Sequence, residues 1–239
     1  KINDRLNRLY RTPDIWRLLG YWVGDGCRSP DGAQIRIVQG LTEEEHVEDI
    51  VQIVETHLEV PVSVRETASS TYMICFSDPD FKELASKFGE YAYDKRLPVW
   101  VLSNYASKQR EFLKGYFCAD GCRSGNSISF SSTSLDLLTG VQLLLAQQGI
   151  PSGIVEGTNG GEMQILDYTV DTRQDWSLTS THPMLKMFLD EEPGRYPIKP
   201  FQSFFTDNYW VVRIQELEKF DVEDQVVYDI QVADDESFY

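Results

Sequence analysis

The sequence predicts an α+β protein built by duplication, with an α-β-β-α-β-β-α unit occurring twice, two antiparallel sheets and a short β-rich C-terminal tail. Three observations predict it. A ten-residue segment repeats, GYWVGDGCRS at 20–29 and GYFCADGCRS at 115–124, with seven identical positions. Each copy is entered by a helical apolar pattern and followed by a strand of period two. Each of those strands runs on into an amphipathic helix. The copies are offset by 120 − 25 = 95 residues, and chance identity over DGCRS is too improbable to compete with duplication. The expected boundaries are 1–110 for the first half, 111–200 for the second and 201–239 for the tail.

Taking the elements in order, Pro13 and Asp14 start the first repeated helix, and its apolar positions are Ile15, Trp16, Leu18, Leu19, Trp22 and Val23. In the second copy they are Phe112, Leu113, Tyr116 and Phe117. Gly20 and Gly24 lie four apart on the first helix, as do Gly115 and Ala119 on the second, so each has a small-residue stripe that permits close approach. Asp25 and Asp120 end the helices, with Gly26 and Gly121 as expected C-terminal caps. Turns at Pro30–Gly32 and Gly125–Asn126 lead to strands at 34–38 and 127–131. Ile35 and Ile37 face inward with Gln34 and Arg36 outward; Ile128 and Phe130 face inward with Ser127, Ser129 and Ser131 outward. Helices are expected at 43–58 and 134–148, the former opened by acids that suit the dipole. Strands at 61–67 and 71–77 form a hairpin, with 153–156 and 163–170 as counterparts, and helices at 79–89 and 182–190 close the halves.

Composition bounds the function. The 41% apolar and 12% aromatic content is that of a globular chain, and no apolar run approaches the roughly 18 residues of a membrane span. The charged N-terminal stretch KINDRLNRLYR is no signal peptide, so the expected setting is a reducing cytoplasm. Cys118 and Cys122 are one helical turn apart, but no second pair or histidine cluster completes a zinc site, and the four cysteines read as buried reduced thiols. The net charge of −16 runs against the basic balance usual in nucleic-acid binders. Residues 216–239 hold nine acids and one base, so half of that excess falls in the tail. A salt-rich cytoplasm is one cause that fits the remainder, and loss of DNA binding is another.

The paired aspartates point to chemistry. A small-residue stripe alone fits two core helices with no further role. An acid at a helix C-terminus opposes the dipole, however, and the same unfavourable choice recurs at matching points of the duplication. If the helices pack side by side, the carboxylates of Asp25 and Asp120 meet, and two such charges need a cation between them. Hard oxygen donors point to magnesium, and paired metal ions suit in-line attack on a phosphodiester. The outward strand residues Gln34, Arg36, Arg65, Ser127, Ser129 and Ser131, with Arg28, Arg123 and Arg173, form the expected DNA-contacting set. Any solvated sheet face shows the same alternation.

The segments LLGYWVGDG (18–26) and FLKGYFCADG (112–121) resemble the two dodecapeptide motifs of the LAGLIDADG homing endonucleases, and the resemblance covers nearly the whole chain. It implies that the motif helices form a pseudo-twofold interface and that the two sheets make a saddle over a long asymmetric double-stranded DNA site. It also implies that two or three divalent ions, magnesium by expectation, are held by Asp25 and Asp120 with Gly24 and Ala119. The cut would leave short 3′ overhangs, made by a monomer. Asp94-Lys95-Arg96-Leu97-Pro98 resembles the block that supplies a lysine near the active site, which gives Lys95 an electrostatic catalytic role. Lys199, in Tyr196-Pro197-Ile198-Lys199-Pro200, is placed similarly in the second half, without the Arg-Leu that follows Lys95.

In the tail, VVYDIQVADDESFY (226–239) resembles an intein block, and TDNYWVVRIQELE (206–218) fits strands of an intein splicing domain. The expected setting is therefore an endonuclease carried within an intein. The chain opens with Lys1 rather than a splicing nucleophile and stops at Tyr239, so it is not expected to splice as it stands. Two alternatives remain open: a catalytically degenerate relative that holds DNA or RNA, and a splicing element with a structural insert.

Overall fold

In a computed structural model, which describes residues 4–124, 127–165, 168–182, 203–205 and 210–212, the chain divides into one unit at 1–196 and another at 197–239. Helix α1 (Asp4–Arg11) leads into α2 (Pro13–Asp25), with Pro13 in its first turn, where a missing N–H costs nothing. From α2 the chain passes without a loop into β1 (Gly26–Arg28). The expected turn follows: Gly32 donates its N–H to the Ser29 carbonyl at 2.8 Å and takes φ +69°, a conformation open to glycine. Strand β2 (Ile35–Gly40) and helix α3 (Glu44–Ile53) come next, and a single π-helical turn at Val54–Leu58 extends α3. The hairpin β3 (Ser63–Glu66) and β4 (Thr71–Phe76) precedes α4 (Pro79–Ser86), capped by the Asp78 carboxylate accepting from the Phe81 N–H. A short helix, α5 (Val99–Leu102), joins the halves.

The second half repeats the plan with α6 (Ala106–Asp120), β5 (Gly121–Ser124), β6 (Ser127–Ser132) and α7 (Leu135–Gln147), the last capped by Ser134. Strands β7 (Gly153–Glu156), β8 (Gly161–Ile165), β9 (Tyr168–Thr172) and β10 (Trp176–Ser180) follow. The two four-stranded antiparallel sheets have the same strand order, β1-β2-β4-β3 and β5-β6-β10-β7. Strand β10 therefore stands where β4 stands, and β8 pairs with β9 as a hairpin inserted between β7 and β10. The sequence expectation of a single strand at 163–170 is corrected on this point: Trp176–Ser180 completes the sheet, because Leu178 is the residue that fills the core beside Phe130 and Ile154. The helix expected at 182–190 lies almost wholly outside the described residues. In the 197–239 unit, β11 (Ser203–Phe205) pairs antiparallel with β12 (Trp210–Val212).

The core sits between the sheets and around α2 and α6. Ile15, Trp16, Leu18, Leu19 and Trp22 are buried on α2, and Phe112, Leu113 and Tyr116 on α6. Ile35, Ile37, Ile74 and Phe76 back the first sheet, while Ile128, Phe130 and Leu178 back the second. The small-residue stripes bring the backbones together. A Cβ at Gly20 would fall on the Phe112 carbonyl oxygen and lie 2.5 Å from the Tyr116 nitrogen, and one at Gly115 would fall on the Arg17 carbonyl oxygen. Arg17 reinforces the packing, with Nε 2.8 Å from Asp49 on α3 and Nη1 2.5 Å from Glu111 on α6.

Two expectations are corrected here. Gly26 (φ −87°) and Gly121 (φ −78°) are extended rather than left-handed, so neither is a glycine cap of the expected kind. Glycine is required there for space: a Cβ at Gly26 would strike the Trp22 ring and carbonyl, and one at Gly121 would strike the same groups of Phe117. Of the four thiols, all unpaired, only Cys75 is buried; Cys27 and Cys122 are exposed on the outer faces of their sheets.

Candidate active site

Helix α2 delivers Asp25 and helix α6 delivers Asp120 at the same end of the close-packed pair. A Cβ at Gly24 would meet the Ala119 Cβ and lie 3.3 Å from the Asp120 backbone nitrogen, so the two C-termini touch where the carboxylates emerge. Both side chains are half-buried. Burial pushes Asp25 up to about 7, helped by the charges of Asp120 and Glu43, and burial likewise raises Asp120, with Lys95 opposing. Both carboxylates thus resist ionisation more than a solvated aspartate does, and the Lys95 ammonium partly offsets this.

Lys95 is 4% exposed and reaches across to the C-terminal end of α2. Its ammonium donates to the Val23 carbonyl at 2.6 Å, with the Gly24, Trp22 and Gly26 carbonyls at 3.2, 3.3 and 3.3 Å. The Trp22 carbonyl also accepts from the Gly26 N–H, whereas Val23 and Gly24 stand past the last helical N–H, so a buried cation there satisfies the helix terminus and complements its dipole. Burial lowers the Lys95 pKa while Asp120 and Asp25 act to raise it. The lysine backbone is anchored in the other half, its carbonyl accepting from the Ser134 hydroxyl at 2.6 Å. Lys95 therefore links α2 to the start of α7. Its counterpart by sequence, Lys199, lies outside the described residues.

Gln39 is a site residue that was not evident from sequence. It is 1% exposed, and its Nε2 donates to Asp25 Oδ2 and to the Val38 carbonyl, both at 2.9 Å. The signal was available: Ile35, Ile37 and Gln39 share the inward phase of β2, and an amide in that phase needs a buried partner. The expected strand stopped one residue short of it.

The residues expected to contact DNA divide by register. Arg36 lies in one outer row with Cys27, Cys75 and Ser63, and Arg65 pairs with Met73 opposite Val38 on the same face. Gln34 is exposed just before β2, with its backbone bonded to Ser29. On the second sheet Ser129 and Ser131 share the outer face with Cys122, Thr179 and Ser177, and Ser127 pairs with Ser124. Arg28 and Arg123 pair instead with Ile35 and Ile128, in the rows of the core face. Arg28 reaches Glu90 at 2.7 Å, and the exposed Arg173 lies over the Tyr93 ring at 4.0 Å.

Two carboxylates with neighbouring main-chain oxygens form a hard donor set that suits magnesium. The Gly24 carbonyl is shared with Lys95, which leaves one lone pair for an ion. Among the described residues, no group of three or more His, Cys, Asp or Glu side chains gathers to hold an ion. Among the same residues no helix is long and apolar enough to cross a membrane.

Comparison with known proteins bears on this geometry. Residues 107–175 match the LAGLIDADG-like domain family model, a stretch that takes in Asp120, α6 from its second residue, α7 and strands β5 to β9, and stops just before β10. The chain is 26% identical over 243 residues to the ATP-dependent DNA helicase Hel308 of Thermococcus kodakarensis, with 93% of this chain aligned to 20% of that protein. It thus spans about a fifth of the length of the curated relative it matches. The homing endonuclease I-DmoI in complex with DNA and Ca superposes with TM-score 0.53 at 13% identity, over 78% of this chain and 94% of that one. Full-length DUF199/WhiA of Thermotoga maritima superposes with TM-score 0.50 at 14% identity, over 78% of this chain and 59% of that one. The chain thus has the LAGLIDADG homing endonuclease fold, two antiparallel four-stranded sheets around paired motif helices, and carries a LAGLIDADG-like domain in its second half.

Proposed function

We propose that this chain is a site-specific endonuclease that hydrolyses both strands of a long asymmetric DNA site with divalent metal, leaving short 3′ overhangs. The observation that carries this reading is the meeting of Asp25 and Asp120 at the ends of two helices whose backbones touch. Asp25 and Asp120 would hold two or three magnesium ions, with the Gly24 and Ala119 carbonyls adjacent. Ions bound there would supply Lewis-acid charge and activate water for attack on the scissile phosphates. Lys95, and Lys199 by resemblance, would offset charge developing on phosphate. Lys95 would act from the helix terminus it caps. Structures of the I-DmoI neighbour in complex with DNA and Ca, and with DNA and Mn, support divalent metal and DNA as ligands here.

The outer faces of the two sheets would form the saddle, with Arg36 and Arg65 on one and Ser129 and Ser131 on the other contacting bases and phosphates. Arg28, already paired with Glu90, is the weakest member of the expected set. The match to a fifth of a DNA helicase supports an inserted element, and with the tail motif at 226–239 it supports an intein as the carrier. A monomer with internal pseudo-twofold symmetry accounts for two such sheets in one chain.

A second reading, binding without cutting, is favoured by the net charge of −16 and by the WhiA neighbour. Cleavage of a randomised duplex library with and without magnesium separates the two. Cuts at one long site only when magnesium is present support the endonuclease, and selective retention without cutting supports the binding module.

A further inference from the structure

The two carboxylates are not served alike. Behind Asp25 stands Gln39, and behind Gln39 stands His46, whose Nδ1 lies 3.2 Å from Gln39 Oε1. The amide orientation follows from its partners. Its nitrogen faces two oxygens, Asp25 Oδ2 and the Val38 carbonyl, so its oxygen must face His46, and Nδ1 must carry the hydrogen. The His46 ring is held against Tyr21, centroids 6.1 Å apart, and its outer nitrogen stands 4.0 Å from the exposed Glu45 carboxylate. In the second sheet Phe130 occupies the register of Ile37, each opposite the glycine that follows the aspartate. Two residues on, the position of Gln39 is taken by Ser132, whose hydroxyl accepts from the Ser134 N–H at 3.1 Å. In its first turn α7 carries buried Leu137 and Leu138 and no histidine.

Resting on the endonuclease reading, we propose that His46 is a positioning residue for one of the two strand cleavages. It fixes the Gln39 amide so that Gln39 orients Asp25. The phosphodiester served from the Asp25 side depends on this chain of contacts, and the one served from the Asp120 side does not. At the matching place in the other half stands the shorter Ser132, and the first turn of α7 behind it carries no histidine.

The test follows each strand separately, with end-labelled duplex carrying the site recovered from the library. For His46→Ala, one strand is expected to slow by about 10- to 100-fold, the usual effect of losing a partner behind a ligand, while the other keeps its rate and nicked duplex accumulates. His46→Asn, which restores an N–H near Nδ1, should recover most of the loss at unchanged DNA affinity. Equal slowing of both strands, or no slowing, would overturn the proposal, since a general loss of fold slows both. A wild-type chain that binds its site but cuts neither strand overturns the endonuclease reading and the strand-specific claim with it. The contact itself is read independently by nitrogen NMR of His46 in the metal-free full chain at neutral pH. The Nδ1–H tautomer is expected, and the Nε2–H tautomer would contradict it whatever the cleavage result.

Discussion

Asp25 carries the most information of any residue. Burial, with the charges of Asp120 and Glu43, raises it from 3.8 to about 7, so the folded state holds its proton more tightly than the unfolded chain does. The stability linked to that proton is fully present below about pH 4 and is lost as pH rises through 7, by a few kcal/mol in metal-free protein. Asp25→Asn should therefore raise the metal-free melting temperature at pH 8 by about 5 °C and flatten its fall between pH 5 and 8. The same variant should lower double-strand cleavage by about 1,000-fold or more, since it removes a metal ligand. Unchanged melting with full cleavage would remove both roles from Asp25. Lys95 is the second test. Lys95→Met strips the end of α2 of its cation and should cost about 2 kcal/mol in urea unfolding, because the Val23 carbonyl loses its partner.

At the scale of elements, the interface of α2 and α6 leaves no room for a side chain at Gly20 or Gly115. Gly20→Ala should destabilise by about 3 kcal/mol because the new Cβ meets backbone, which cannot rotate away. Gly153→Ala on β7, with no atom within 4 Å of its Cβ, should stay within about 0.5 kcal/mol in the same unfolding assay. Much of this layer was legible in the sequence. The repeat placed the helices, and the alternation at 34–38 and 127–131 placed the central strands, because local pattern and burial agree there. Strand β10 was not legible, since Trp176-Ser177-Leu178-Thr179-Ser180 has only two large apolar residues and follows an inserted hairpin that looks more like a strand. Gln39 was one residue beyond the expected strand. The Lys95 contact with α2 joins residues about 70 apart in sequence, and no local pattern encodes it.

At the scale of the whole molecule, charge sets how strongly DNA is held. Net −16 repels DNA, and half of it belongs to residues 216–239, in the unit that begins at Pro197. DNA affinity should therefore start low and fall with salt only as steeply as its few phosphate-contacting cations dictate, and each Arg on a sheet's outer face should carry a measurable share. Replacing the exposed Arg65 by Ala should reduce the slope of log affinity against log salt by about 1, read by fluorescence anisotropy from 50 to 300 mM salt. An unchanged slope would place Arg65 off the DNA. That the charge fits two functions shows where sequence stops: composition averages over surfaces, whereas the alternation puts Arg36 and Arg65 outward and the register places them on one face.

The central claim is that Asp25 and Asp120 together cut DNA. Its most direct test is cleavage of a randomised duplex library by wild type, Asp25→Asn and Asp120→Asn, each with magnesium and with chelator over a range of salt. The expected result is one long site cut in both strands by wild type with magnesium alone, and by neither variant. A site that is bound but left whole by wild type at every salt concentration would contradict it.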